Sequence, residues 1–185
     1  MTGTLTLILG GIKSGKSRQA LELARERGTG GPVGFIATAE AFDGEMKLRI
    51  QKHREEREGL FFTMEEPLHL SGAVAEGWGK SSCLVVDCLT LWVNNLLFHF
   101  EKNPEKIREE IGGFLETANQ KKGNLILVSN EVGAGLVSES ALARKYMDEL
   151  GNLNQQVARL CDEVILMTAG ISQRIKGGVH AGLDR

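Results

Sequence analysis

Residues 5–24 read LTLILGGIKSGKSRQALELA, and the reading of this stretch decides the fold. Residues 5–9 make a short apolar run ending at glycine, which predicts a buried strand. The spacing of Ala20, Leu21, Leu23 and Ala24 predicts a helix beyond it. Between them Gly10, Gly11, Ile12, Lys13, Ser14, Gly15, Lys16 and Ser17 spell G-x4-G-K-S, a full phosphate loop in the strand, loop and helix setting that the motif needs. Glycines let the backbone curl so that successive N–H groups face phosphate oxygens, and the helix that follows adds its positive end. Lys16 is expected to neutralise the β- and γ-phosphates, and Ser17 to place a hydroxyl on Mg2+. An ordinary glycine turn before a helix is the weaker reading.

Working outward, residues 28–32 (GTGGP) break the chain, and 33–37 (VGFIA) predict a second buried strand leading into Ala37-Thr38-Ala39. Residues 43–58 are strongly helical and charged. A strand is expected over 61–64, with Glu65 and Glu66 at its end, then a loop or helix from Pro67 through 78. Residues 83–87 (CLVVD) predict a buried strand closed by an acid, and 89–100 an apolar helix that Asn103-Pro104 breaks. An amphipathic helix over 105–120 precedes a buried strand at 125–129. A long helix over 140–161 leads to a final core strand at 164–168, with a frayed tail from about 177. Short apolar runs alternating with helices predict an α/β fold, a mostly parallel sheet with helices on both faces. Ligands gather at the carboxyl ends of such strands, which singles out the phosphate loop, Thr38, Glu65, Asp87, Asn130 and Glu131.

A chain of 185 residues, 42% hydrophobic and 25% charged, is expected to be one soluble domain. A formal net charge of −2 supplies no bulk field for nucleic acid or an anionic membrane. Cys83, Cys88 and Cys161 show no metal-ligand spacing and read as buried free thiols. No apolar stretch spans a bilayer, and the chain runs at once into its first strand, so a cytoplasmic protein is expected.

Asp87 stands where phosphate-loop proteins carry a Walker-B acid. Its expected task is to hold Mg2+ opposite Ser17; the alternative is an acid that caps a loop or helix. Glu131 reads equally as a second carboxylate near metal or substrate and as an ordinary loop acid. Glu45, Arg49, His53 and Arg57 recur every four residues and share one helical stripe. Arg49, Arg54 and Arg57 around one histidine suit a triphosphate, and the imidazole would act as nucleophile, general base or phosphate donor. Periodicity alone favours the plainer reading, a solvated helix laced with ion pairs. His69, His99 and His180 read as structural or exposed, and Trp78 and Trp92 as core or interface residues rather than base-stacking platforms.

Five segments occur in order: GGIKSGKS at 10–17, ATAEAFDGEMKLRIQKHREER at 37–57, LVVDCLTLWVNNLL at 84–97, SNEVGAGLV at 129–137, and LARKYMDELGNLNQQVARLCDEVILMTAGI at 142–171. Together they closely resemble the bifunctional adenosylcobinamide kinase / adenosylcobinamide-phosphate guanylyltransferase family of cobalamin biosynthesis. The phosphate loop is shared by many families; the D-x-E-M-x-x-R-I-x-x-H-R-x-x-R and N-E-V-G segments are far more specific. The resemblance implies a RecA-like phosphate-loop domain, assembled as a homotrimer, using Mg2+ with GTP and ATP as substrates. It implies that a triphosphate first phosphorylates the aminopropanol hydroxyl of adenosylcobinamide, a corrinoid. GTP then donates GMP to that phosphate through a guanylylated histidine, at the position of His53, with loss of pyrophosphate.

Carried over by motif, the nucleotide contacts are Gly10 to Ser17, then Ala37, Thr38 and Ala39, then Arg54, Glu55, Glu56 and Arg57, and last Glu65 and Asp87. Lys16 and His53 are the implied catalytic residues, and Ser17 and Asp87 the metal ligands. Lys13 departs from the family's usual arginine, Phe61-Phe62 from a tryptophan-containing segment, and Ser138 from a common proline. Two rivals are a phosphate-loop kinase for another small alcohol, with His53 only a phosphate ligand, and a RecA-like regulatory module that transfers nothing.

Overall fold

The computed structural model describes residues 3–28, 30–40, 44, 61–133 and 138–177. In chain order these form β1 (Leu5–Gly10), α1 (Lys16–Arg27), β2 (Val33–Ala37), β3 (Phe62–Glu65), α2 (Leu70–Trp78), β4 (Cys83–Asp87) and α3 (Leu89–His99). There follow α4 (Pro104–Asn119), β5 (Asn124–Val128), α5 (Ala141–Leu160), β6 (Glu163–Thr168) and β7 (Ile171–Lys176). The strands make one sheet in the order β3-β2-β4-β5-β1-β6-β7. β1 to β6 pair in parallel; β7 runs antiparallel to β6. This is the RecA-like phosphate-loop architecture.

Side chains of a strand point to opposite faces in turn, so a strand covered on both sides must be apolar throughout. Leu7, Leu84, Val86, Leu125 and Leu127 accordingly enter one core, while Ile8, Val85, Ile126 and Val128 enter the other. The first core is roofed by α2, α3, α4 and α5 through Leu70, Trp92, Phe114 and Leu153. Trp92 is fully buried; its Nε1 donates to the Leu68 carbonyl at 2.8 Å and its ring meets Phe114 edge-on at 5.1 Å. The second core lies under α1, through Ala20, Leu23 and Ala24. Strand β1 is buried along its whole length, so the loop that follows it grows out of the interior of the sheet.

Element ends shift from expectation by a residue or more. α4 starts at Pro104 rather than after it: proline at the first helical position loses no hydrogen bond, and Asn103 Oδ1 accepts from Lys106 N at 3.2 Å. β6 is the last core strand, as read, but not the last of the sheet. β7 is exposed at every position, and an edge strand of this kind has no apolar face for a sequence pattern to report. The charged segment 43–58, Gly44 excepted, and the tail from 178 lie outside the described residues.

Candidate active site

β1 ends in Gly10 with φ +152°, where a Cβ would stand 2.4 Å from the Met167 carbonyl oxygen. Any side chain there would drive β1 and β6 apart. Lys13 (φ 57°) and Gly15 (φ +97°) then turn the chain through left-handed conformations into α1. Two bonds tie this curl to the sheet: Gly170 N donates to Ser14 O at 3.0 Å, and Glu131 N to Gly10 O at 3.1 Å. Lys16 is 7% exposed, and its Nζ reaches back across the loop to Gly11 O at 2.6 Å and Ser14 Oγ at 3.5 Å. Burial lowers its pKa below the ordinary 10.5, opposed by Cys88 and Asp87. Burial and the neighbouring Asp87 push the Cys88 thiol up to about 12, so at neutral pH the charge Lys16 meets is the Asp87 carboxylate. The curl, a desolvated ammonium and a helix N-terminus form a cradle for a polyphosphate.

The sheet order works as a ruler from that cradle. Neighbouring strands lie about 4.8 Å apart, so ends of β5, β4, β2 and β3 stand roughly 5, 10, 14 and 19 Å from β1. Asp87, half-buried at the end of β4, stands two strands from the cradle and is close enough to act electrostatically on Lys16. Glu65, exposed at the end of β3, stands four strands from the cradle. Thr38 is fully buried and its hydroxyl is committed within the protein. It donates to Cys88 O at 2.7 Å and accepts from Cys88 N at 2.8 Å, while Thr38 N donates to Asp87 O at 3.2 Å. Its side chain therefore holds the backbone beyond Asp87 in place. Glu66, beside Glu65, accepts from Leu68 N and His69 N at 2.9 and 2.8 Å and caps the approach to α2.

A family profile described as cobinamide kinase / cobinamide phosphate guanyltransferase matches residues 6–175, from the first strand through the phosphate loop to the last edge strand. The chain belongs to this family, CobU. It is 45% identical to the bifunctional adenosylcobalamin biosynthesis protein CobP of Pseudomonas aeruginosa, over 92% of this chain and 96% of that protein. It is 36% identical to the bifunctional adenosylcobalamin biosynthesis protein CobU of Escherichia coli, over 93% of this chain and 99% of that one. Among solved structures, the flagellar accessory protein FlaH of Methanocaldococcus jannaschii superposes with a TM-score of 0.51 at 13% identity. That likeness covers 95% of this chain and 79% of FlaH, and it concerns the fold alone.

In this CobU-family chain one part of the site was not legible beforehand. Ser129, Asn130, Thr90, Tyr146 and Asn154 form a polar network where β5 leaves the sheet. Asn154, buried on α5, accepts from Ser129 Oγ at 2.7 Å and donates to Asn130 O at 3.0 Å. Thr90 Oγ1 accepts from Asn130 N at 2.8 Å, and Tyr146 OH donates to Thr90 O at 3.3 Å. Asn95, buried on α3, likewise donates to Thr38 O at 2.7 Å. The available signal was an asparagine inside an otherwise apolar helical stripe (LTLWVNNLL, LGNLNQQV), where burial is costly unless a polar partner waits. His69 pairs with Glu110 at 3.0 Å and His99 with Glu40 at 2.9 Å, in keeping with a structural reading. His53, Arg49, Arg54, Glu55, Glu56 and Arg57 lie outside the described residues, as does His180.

Proposed function

We propose that this chain phosphorylates adenosylcobinamide and then transfers GMP from GTP to the resulting phosphate through a guanylylated His53. The reading is supported by membership of the CobU family over residues 6–175 together with a phosphate cradle whose buried lysine reaches back to the loop's own carbonyl and hydroxyl, with the Asp87 carboxylate nearby. Gly10 to Ser17 bind the polyphosphate, with Lys16 as point charge on the β- and γ-oxygens. Ala37 and Ala39 flank the nucleotide along the strand ends, and Glu65 contacts its far end. Arg54, Glu55, Glu56 and Arg57 are the further nucleotide contacts that the family motif implies, with the guanidinium groups offsetting charge on the α-phosphate.

Ser17 and Asp87 are hard oxygen donors, and among the described residues no cluster of three or more His, Cys, Asp or Glu forms a closed metal cage. That donor set fits Mg2+, which is usually held by one or two carboxylates and by substrate phosphates. When bound, the ion offsets phosphate charge. In GMP transfer, His53 attacks the α-phosphorus of GTP and pyrophosphate leaves; the phosphate of adenosylcobinamide phosphate then attacks the same phosphorus and releases the imidazole. The histidine divides one displacement into two.

The same reading makes the protein a cytoplasmic homotrimer with no nucleic-acid partner. No described helix is long and apolar enough to cross a membrane. Incubation with α-labelled GTP tests the central step. Acid-labile, base-stable label on the wild type and none on His53→Ala is expected; label that survives the substitution would overturn the histidine's role. A kinase for another small alcohol predicts no covalent label, and a regulatory module predicts slow hydrolysis with no corrinoid product.

A further inference from the structure

The phosphoryl-transfer half of the proposed function needs a group that takes the proton from the corrinoid's hydroxyl, and this inference rests on that reading. Among the described residues, the acids that follow parallel strands are Glu40, Glu65, Glu66, Asp87 and Glu131. Asp87 is the metal ligand of the proposed mechanism. Glu66 caps a helix and Glu40 is paired with His99. Glu65 stands at the far edge of the sheet, four strands from β1. Glu131 alone follows β5, the immediate neighbour of β1, on the side where Asp87 also lies.

The fold holds Glu131 there deliberately. Its N–H donates to Gly10 O, the first residue of the phosphate loop, at 3.1 Å. The preceding residue, Asn130, is fixed from two directions: Thr90 of α3 accepts from its N–H, and Asn154 of α5 donates to its carbonyl. Asn154 and Ser129 are buried and spend their polar atoms on this junction, an arrangement costly to fold unless every partner is in place. The carboxylate itself is exposed; Oε1 accepts from Gly133 N at 3.0 Å, and it forms no ion pair among the described residues. A solvent-facing carboxylate on a backbone fixed beside a phosphate cradle is placed to serve an acceptor alcohol.

We propose that Glu131 is the general base of the kinase step. The hydroxyl proton passes to the Glu131 carboxylate as the alcohol oxygen bonds to the γ-phosphorus. The bond from that phosphorus to the bridging oxygen breaks, and its electron pair leaves with the nucleoside diphosphate. GMP transfer uses an imidazole and a phosphate as nucleophiles, neither of which needs a base at neutral pH, so Glu131 serves only one of the two reactions.

The two activities provide the control. Full-length wild type, Glu131→Gln and Glu131→Asp are assayed with γ-labelled ATP or GTP and adenosylcobinamide, and separately with α-labelled GTP and adenosylcobinamide phosphate. Glu131→Gln is expected to lower phosphorylation about 10²- to 10⁴-fold, with Glu131→Asp intermediate. GMP transfer and the calorimetric affinity for GTP stay at wild-type values. Phosphorylation at the wild-type rate in Glu131→Gln would overturn the proposal, as would an equal fall in both activities, which would make Glu131 a support for the loop. The wild-type arm reads the functional assignment and the variant arm reads the base, so the two fail separately.

Discussion

One helix carries a buried and a half-buried cation with opposite fates. α1 opens with Lys16 at the carboxyl edge of the sheet and closes with Arg27 at the amino edge. Arg27 is matched inside the fold: it donates to Thr6 Oγ1 at 2.6 Å and pairs with Glu163, whose other oxygen accepts from Arg174 at 2.7 Å. Lys16 is the more deeply placed, yet its hydrogen-bond partners are a carbonyl and a hydroxyl, and desolvation lowers its pKa. A buried charge paired within the chain contributes to holding the structure. A buried charge whose hydrogen-bond partners are neutral, with a carboxylate only nearby, costs stability and is set for an incoming anion. The difference teaches where the molecule binds.

That contrast can be broken at either end. Lys16→Met keeps the apolar stem and removes the charge. GTP affinity by calorimetry is expected to fall roughly 100-fold or more, about 3 kcal/mol, with folding stability unchanged or raised. A fall in melting temperature without loss of affinity would reverse the assignment. Glu163→Ala should do the opposite. Removing the carboxylate that Arg27 and Arg174 share is expected to cost about 1–3 kcal/mol in urea unfolding while the folded protein binds GTP normally. Asn154→Ala sharpens the comparison because it joins both behaviours. It should destabilise by about 1–3 kcal/mol through unmet partners and also slow phosphorylation by releasing Asn130 and Glu131.

The smallest effect belongs to Asp162, next to the paired end. Burial pulls its carboxyl up, but Leu5 N–H at 2.9 Å and Lys121 Nζ at 2.5 Å more than reverse this and hold it below 3.8. With the folded value depressed, the stability this group adds is complete above about pH 3.8 and is lost as pH falls through the folded value. Asp162→Asn should flatten that part of the acid limb in a pH series of denaturant melts, leaving nucleotide binding untouched.

Much of the fold was legible because doubly covered strands must be apolar throughout. The runs that became β1, β2, β4, β5 and β6 could be read with ends off by about a residue. β7 could not, since its side chains face solvent and no apolar pattern distinguishes ISQRIK from a loop. The phosphate loop was legible for a local reason: its glycines answer to backbone angles and to the Met167 carbonyl immediately alongside. Thr38 shows the limit of motif transfer. Its position beside the candidate nucleotide path was apparent, but its hydroxyl is taken up by Cys88, the residue just past β4 and fifty residues away in the chain.

The chain's own order of residues determined that a phosphate cradle follows the first strand, that the sheet is mostly parallel, and which family it joins, because each depends on local spacing or on motifs read in sequence. Strand order decided the rest. Placing β5 between β1 and β4 brought Glu131 against Gly10 and set Asp87 one strand further, and the buried asparagines acquired partners only when α3 and α5 packed over that junction. Long-range hydrogen bonds and strand neighbours are properties of packing, and no local pattern encodes them.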